Sequence, residues 1–234
     1  MSLDLRIAEA LALLRRAASE FQPVALASSL GAEDMVLTDL VFRNELPVTV
    51  FTLDTGRLPE QTQRLIARVR EYYGRSIRVY FPEAQAVERF VAEHGVNGFY
   101  QGITERKACC AIRKVAPLAR ALSGHKAWIT GLRRDQSPTR ASIAAQSWDA
   151  EHGLTKFSPL ADWSREDVWT YLRANHVPYN ALHDQGYASI GCSPCTRAIE
   201  PGEDERAGRW WWEHPETKEC GLHLSAPTET EGAA

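Results

Sequence analysis

The strongest constraint on the fold is the alternation of short apolar β-type runs with amphipathic helical stretches through the first two thirds of the chain. Residues 3 to 20 have helical periodicity, 24 to 28 (VALAS) read as a strand, 33 to 44 as a helix, 48 to 53 (VTVFTL) as a strand and 59 to 73 as a helix. The pattern continues with a strand at 77 to 81 (IRVYF), a helix over 109 to 122 and a strand at 126 to 130 (KAWIT). Such alternation predicts an α/β fold with a doubly wound, mainly parallel sheet. Ligands then bind at the carboxyl ends of the strands, which directs attention to the segments after residues 28, 53, 81 and 130.

Beyond residue 157 the pattern changes. Ser164 followed by Asp167 caps a helix running to about residue 175, and Pro178 stops its continuation. From residue 182 the chain is loop-like and dense in Gly, Pro, Cys and charge, ending in an amphipathic segment near 202 to 212. Residues 225 to 234 are small and polar and read as a disordered tail. We expect one domain over 1–224, with a core at 20–160 and a cysteine-rich C-terminal segment at 160–224.

The 234 residues, 44% apolar and 24% charged, can bury a core without help from disulfides or metal. No run approaches the roughly 20 apolar residues of a membrane span, and the N-terminus does not read as a secretion signal. A cytoplasmic protein with no membrane partner is expected, so its cysteines stay reduced. The net charge of −3 gives no reason to expect nucleic acid. Of the 27 basic residues 22 are Arg, which suits oxyanion recognition and equally reflects base composition.

Five cysteines suggest four plus one. Cys192-Ser193-Pro194-Cys195 is the strongest signal, because two cysteines flanking a turn can direct both sulfurs at one metal centre. Cys109-Cys110 is unusual: adjacent thiolates strain a chelate on one small tetrahedral ion, whereas a polynuclear cluster offers separate irons. This favours an iron–sulfur cluster over zinc, with a buried cysteine pair and an unrelated redox pair as alternatives. Cys220 stands apart in Glu219-Cys220-Gly221-Leu222-His223, where His223 can favour the thiolate, and an exposed surface cysteine is an equal alternative.

The loop Ser28-Ser29-Leu30-Gly31-Ala32-Glu33-Asp34, between a strand and a helix, offers hydroxyls and backbone N–H groups to an oxyanion. It lacks the GxxxxGK[ST] pattern of a Walker loop, and any strand-to-helix turn uses Ser and Gly. Asp54-Thr55-Gly56 follows the second strand, and Arg133, Arg134 and Arg140 follow the fourth. Arg113 and Lys114 follow the cysteine pair, and Arg206 and Arg209, three apart, are expected on one helix face. If these converge they form a pocket for a multiply anionic small molecule. Trp210-Trp211-Trp212 reads as core or interface, since three consecutive residues cannot share one helix face.

In combination with Leu53-Asp54-Thr55-Gly56, Cys109-Cys110-Ala111-Ile112-Arg113-Lys114, Thr130-Gly131-Leu132-Arg133-Arg134-Asp135-Gln136-Ser137 and Cys192-Ser193-Pro194-Cys195-Thr196-Arg197, these segments resemble the assimilatory sulfonucleotide reductases, in particular the bacterial adenylyl-sulfate (APS) type. The resemblance runs from about residue 20 to 224. It implies an adenine-nucleotide α-hydrolase-like fold whose nucleotide-binding core holds APS. Substrate contacts would come from Ser28, Ser29, Leu30, Gly31, Asp34, Asp54, Thr55, Gly56, Arg133, Arg134 and Arg140. It further implies a 4Fe–4S cluster on Cys109, Cys110, Cys192 and Cys195, a Cys220 nucleophile, and Lys114, His223, Arg206 and Arg209 as its catalytic company. Thioredoxin or a glutaredoxin-like protein would supply electrons, since no fused thioredoxin-like domain is expected. The resemblance also leaves room for 3′-phosphorylated APS (PAPS) as substrate and for a homo-oligomer. An ATP-dependent adenylating enzyme and a zinc-stapled binding module are the rival classes.

Overall fold

The computed structural model describes residues 2–137, 140–214 and 218. Helix α1 (Leu3–Glu20) opens with Ser2 capping Leu5, and its Ala10, Leu14, Ala17 and Ala18 form the buried stripe that its periodicity predicts. There follow β1 (Val24–Ala27), α2 (Ala32–Arg43), β2 (Val48–Leu53), α3 (Glu60–Tyr73) and β3 (Arg78–Tyr80). After α4 (Ala84–His94) comes a long helical stretch: α5 (Ile103–Cys110), a π turn over Ala111–Val115, and α6 (Ala116–Leu122). Then come β4 (Ala127–Ile129), β5 (Gln146–Asp149), β6 (Leu154–Phe157) and α7 (Arg165–Ala174).

The sheet order is β3-β2-β1-β4-β6-β5, with every pair parallel except β5 against β6. From β1 the chain builds outward to β2 and β3, then returns to the other side of β1 with β4. The switch point therefore lies between β1 and β4, where the segments leaving the two strands diverge and open a crevice. Strand residues Ala25, Leu26, Ala127 and Ile129 are completely buried, as a central parallel sheet covered by helices on both faces requires. One core lies under α1, α2 and α7, the other under α6 on the opposite face.

The doubly wound expectation is met, with three corrections. The cysteine pair ends α5 rather than starting a helix at 109, because the helix already begins at Ile103. Residues 201–213 form turns rather than an amphipathic helix, stitched to the preceding segment by a Thr196–Arg209 bridge. Helix α4 and the β5–β6 hairpin are additional to the expected elements. Helix α7 has the predicted cap: Ser164 Oγ accepts from Asp167 N–H while Asp167 accepts from Ser164 N–H. No helix among the described residues is long and apolar enough to cross a membrane.

Candidate active site

The crevice at the switch point holds a cavity of about 220 Å³. Its floor is the β1–α2 turn. Here Asp34 Oδ2 accepts from both the N–H and the hydroxyl of Ser29, each at 2.6 Å, and Asp34 Oδ1 accepts from Gly131 N–H at 3.2 Å. Asp34 thereby ties the two diverging segments together. Gly131 is required at that crossing, since an added Cβ would collide with Asp34 Oδ1. Burial pushes the Asp34 carboxyl up to about 6 against the lowering influence of the Ser29 bonds. Leu30 adopts φ +62° with its side chain buried beneath the loop.

The loop is more self-contained than an open oxyanion nest. Leu30 N–H bonds to Ser28 Oγ at 3.3 Å and Gly31 N–H to Ser29 Oγ at 3.3 Å. What it offers to the cavity is the start of α2, whose N-cap Gly31 makes no side-chain capping bond.

Ser28, Ser29, Gly31, Asp34, Thr55, Lys114, Arg140, Arg206 and Arg209 all line this cavity, so the structure brings these sequence-predicted residues together. Arg206 and Arg209 reach it from turns, not from a shared helix face. Leu30, Asp54 and Gly56 stand behind the wall: Asp54 Oδ1 accepts from Gly56 N–H at 2.8 Å and shapes the turn that presents Thr55. Arg134 donates to Ile143 O at 2.7 Å, pairs with Asp162 and does not line the cavity. Arg133, expected to contact substrate, is wholly buried, and its guanidinium is committed to Glu33, Glu205 and Asp135. Cys220 and His223 lie outside the described residues.

A second, small void of about 20 Å³ adjoins the first, and all four paired cysteines line it. Cys109 and Cys110 come from the end of α5 and Cys192 and Cys195 from a short turn, and all four are free thiols. The turn is latched to the β2 loop by Ser193 N–H to Arg57 O at 2.8 Å and a 3.2 Å contact between Thr55 Oγ1 and Cys192 Sγ. Tyr100 Oη donates to Pro194 O at 2.6 Å from the other side. Arg57, Arg106, Arg113 and Lys114 line the same void.

The π turn after Cys110 carries Arg113 and Lys114. Arg113 donates to Thr55 O at 2.6 Å, while Lys114 borders both cavities together with Cys192 and Trp210. Trp210 is buried, with Arg106 and Arg209 over its ring at 4.6 and 4.7 Å and Lys114 at 5.9 Å. It therefore forms the partition between the two cavities, a role that its consecutive position in a Trp triplet does not reveal. Burial raises the Cys109 thiol, and burial together with Cys192 raises Cys195 to about 12. Burial also acts to raise Cys192, but Lys114, the Thr55 hydroxyl and Arg209 outweigh it and hold this thiol below its usual value.

Among the described residues no group of three or more His, Cys, Asp or Glu is arranged to hold a metal ion. Four thiols around one void have the donor chemistry of a polynuclear thiolate cluster, whose negative charge Arg57, Arg113 and Lys114 would balance, Arg106 being paired with Glu213.

Residues 23–198 match the model of the phosphoadenosine phosphosulfate reductase domain. The chain belongs to that family. It is 55% identical to an adenosine 5′-phosphosulfate reductase of Allochromatium vinosum over 222 residues, 95% of this chain and 87% of the relative. It is 54% identical to one of Burkholderia cepacia over 217 residues, covering 93% and 87% of the two chains. Among solved structures, a phosphoadenylyl-sulfate reductase of Candida auris in a phosphate complex superposes with a TM-score of 0.70 at 26% identity, over 84% of this chain and 96% of that one. An FMN adenylyltransferase of Candida glabrata with ATP bound reaches 0.57 at 15% identity, over 93% and 74%, a likeness of fold alone. The fold is consistent with the adenine-nucleotide α-hydrolase-like one that the resemblance implies.

Proposed function

We propose that the chain is an assimilatory adenylyl-sulfate reductase, an oxidoreductase that converts APS to sulfite and AMP through an S-sulfonate on Cys220. The observation that carries this reading is the shared wall of Lys114, Cys192 and Trp210 between the switch-point cavity and the four-thiol void, in a chain more than half identical to two APS reductases. Family neighbours also include a PAPS reductase, but the curated relatives compared above are APS reductases.

Cys109, Cys110, Cys192 and Cys195 are the residues that would hold a 4Fe–4S cluster. When bound, the cluster supplies a cross-link between α5 and the 192–195 turn and a fixed charge beside the cavity. The remaining steps belong to this chain's own side chains. The turn into α2 and the wall of Arg140, Arg206 and Arg209 bind the anionic end of APS, the first through its helix terminus and the others as charged donors.

The Cys220 thiolate attacks the sulfate sulfur. The bond from that sulfur to the bridging oxygen breaks, and AMP leaves with the electron pair. A thiolate approaching a sulfate–phosphate anhydride meets repulsion, so Lys114, Arg206 and Arg209 lower the barrier by holding the sulfate oxygens. His223 favours the Cys220 thiolate. A dithiol protein of the thioredoxin or glutaredoxin type then attacks Cys220 Sγ, expels sulfite and resolves the mixed disulfide with its second thiol. The same family reading makes the protein cytoplasmic, with residues 1–224 working as one domain.

Anaerobically purified protein tests this reading. It should contain iron and acid-labile sulfide in stoichiometric amounts and release sulfite from APS with thioredoxin, faster than from PAPS. A colourless protein holding one zinc and inert towards APS would overturn it.

A further inference from the structure

Arg133 is wholly buried, and all three guanidinium nitrogens are spent on carboxylates. Its Nε donates to Glu33 Oε1 at 2.8 Å, its Nη2 reaches both Glu205 oxygens at 3.2 and 3.3 Å, and its Nη1 pairs with Asp135. Glu33 belongs to the first turn of α2 and Glu205 to the turn after the cysteine segment, so one side chain joins an element 100 residues before it to one 72 residues after it. Gln136 reinforces the hub. Its Oε1 accepts from Arg133 N–H at 3.1 Å and from Arg140 at 2.6 Å, and its Nε2 donates to Glu33 at 3.0 Å.

The Glu205 end is joined to Lys218. Arg206, the next residue, lines the cavity and donates through Nη2 to Lys218 O at 2.8 Å, and Lys218 Nζ donates to Ala207 O at 3.3 Å. Two hydrogen bonds thus fasten the 205–207 turn to Lys218, which stands two residues before Cys220 in the sequence. A buried ion pair of this kind adds little net stability, because desolvation offsets its attraction, but it fixes geometry closely. A shift of about 1 Å in the turn would move both the Arg206 guanidinium and the approach of Lys218.

We infer that Arg133 is a positioning residue for sulfur transfer. Held by Glu33 on α2, it pins Glu205 and so sets the turn that presents Arg206 to the sulfate and grips the chain just before Cys220. The inference rests on the proposed APS chemistry, since it assigns Arg133 a part in one step of it. It places the effect of the pin on the sulfur-transfer step more than on binding of the nucleoside monophosphate end.

Glu205→Gln in the full chain tests it, with Arg133→Lys, which keeps the charge but loses the planar fork, as a second variant. Three quantities are read: AMP affinity by calorimetry, thermal midpoint, and the single-turnover rate of S-sulfonate formation from APS by mass spectrometry. In both variants AMP affinity should stay within about twofold while adduct formation slows about tenfold, the size expected for one charge-assisted bond. In an Arg206→Ala background, Glu205→Gln should cost less than about twofold more, because the pin acts chiefly through the placing of the Arg206 guanidinium. Equal losses from Glu205→Gln in both backgrounds, or AMP affinity and adduct rate falling together, would overturn the inference. A wild-type protein that binds AMP but forms no adduct would instead refute the APS reading beneath it.

Discussion

The cavity is walled by two regions of different construction. On one side stand the sheet ends, where Ala25, Leu26, Ile129 and Phe157 are fully buried and a backbone ladder runs through β2, β1, β4 and β6. On the other stand the π turn that carries Lys114 and the segment from residue 182 to 214, which contains turns and short 3₁₀ pieces and no α-helix. It is held by particular side chains: Arg106 bidentate on Glu213 at 2.7 and 2.8 Å, Tyr100 on Pro194, Arg133 on Glu205, and Trp210 among its cations. The sheet side gains its order from area buried and from repeated backbone bonds, so no single polar contact decides it. The cysteine side gains its order from individual pairs. A change there should disturb chemistry while leaving the fold standing.

Substitutions on the two sides should therefore separate stability from activity. Ile129→Ala removes a fully buried side chain from the central strand β4 and should destabilise the whole fold by about 2–5 kcal/mol, read by chemical denaturation. Lys114→Ala should lower kcat/KM for APS about a hundredfold, as loss of a charged donor at a developing anion does, with a denaturation midpoint near that of the wild type. If Lys114→Ala unfolds the protein instead, the proposed division of labour fails.

Asp34 belongs to both regimes. Its carboxyl is raised from 3.8 to about 6 by burial, so the protonated form is favoured in the folded protein. The associated stability increment is complete below about pH 4 and is lost as pH rises through 6. Stability curves between pH 4 and 7 should show this decline in the wild type and a flatter profile in Asp34→Asn. The smallest effect is expected at the α7 cap: Ser164→Ala should cost about 1 kcal/mol and leave turnover unchanged, since the cap touches no wall of the cavity.

The same contrast explains what could be read before any coordinates. Strands β1 and β2 and helices α1, α3 and α7 follow from periodicity, turn residues and the Ser164–Asp167 box, all local signals. The pattern Val87, Phe90, Val91 and the turn at Gly153 were available signals for α4 and for the β5–β6 hairpin, but both are short and partly polar. In the cysteine segment the one periodic pattern, near 202 to 212, folds as turns, so only the cysteine motif placed it. The fate of Arg133 was beyond local reading: an Arg in a polar loop looks like an anion ligand until Glu33 and Glu205 are found beside it. The triplet Trp210-Trp211-Trp212 reads as core or interface; Trp210 is buried while Trp211 is exposed, and the place of Trp210 between two cavities depends on Lys114 and Cys192 arriving from elsewhere.

The most direct test of the account is mass spectrometry of the protein after incubation with APS in the absence of any reductant. The account predicts one added SO₃ group located on Cys220, released as sulfite by a dithiol and absent from Cys220→Ser. An adduct that persists in Cys220→Ser, or a wild-type protein that turns APS over without forming one, would contradict it.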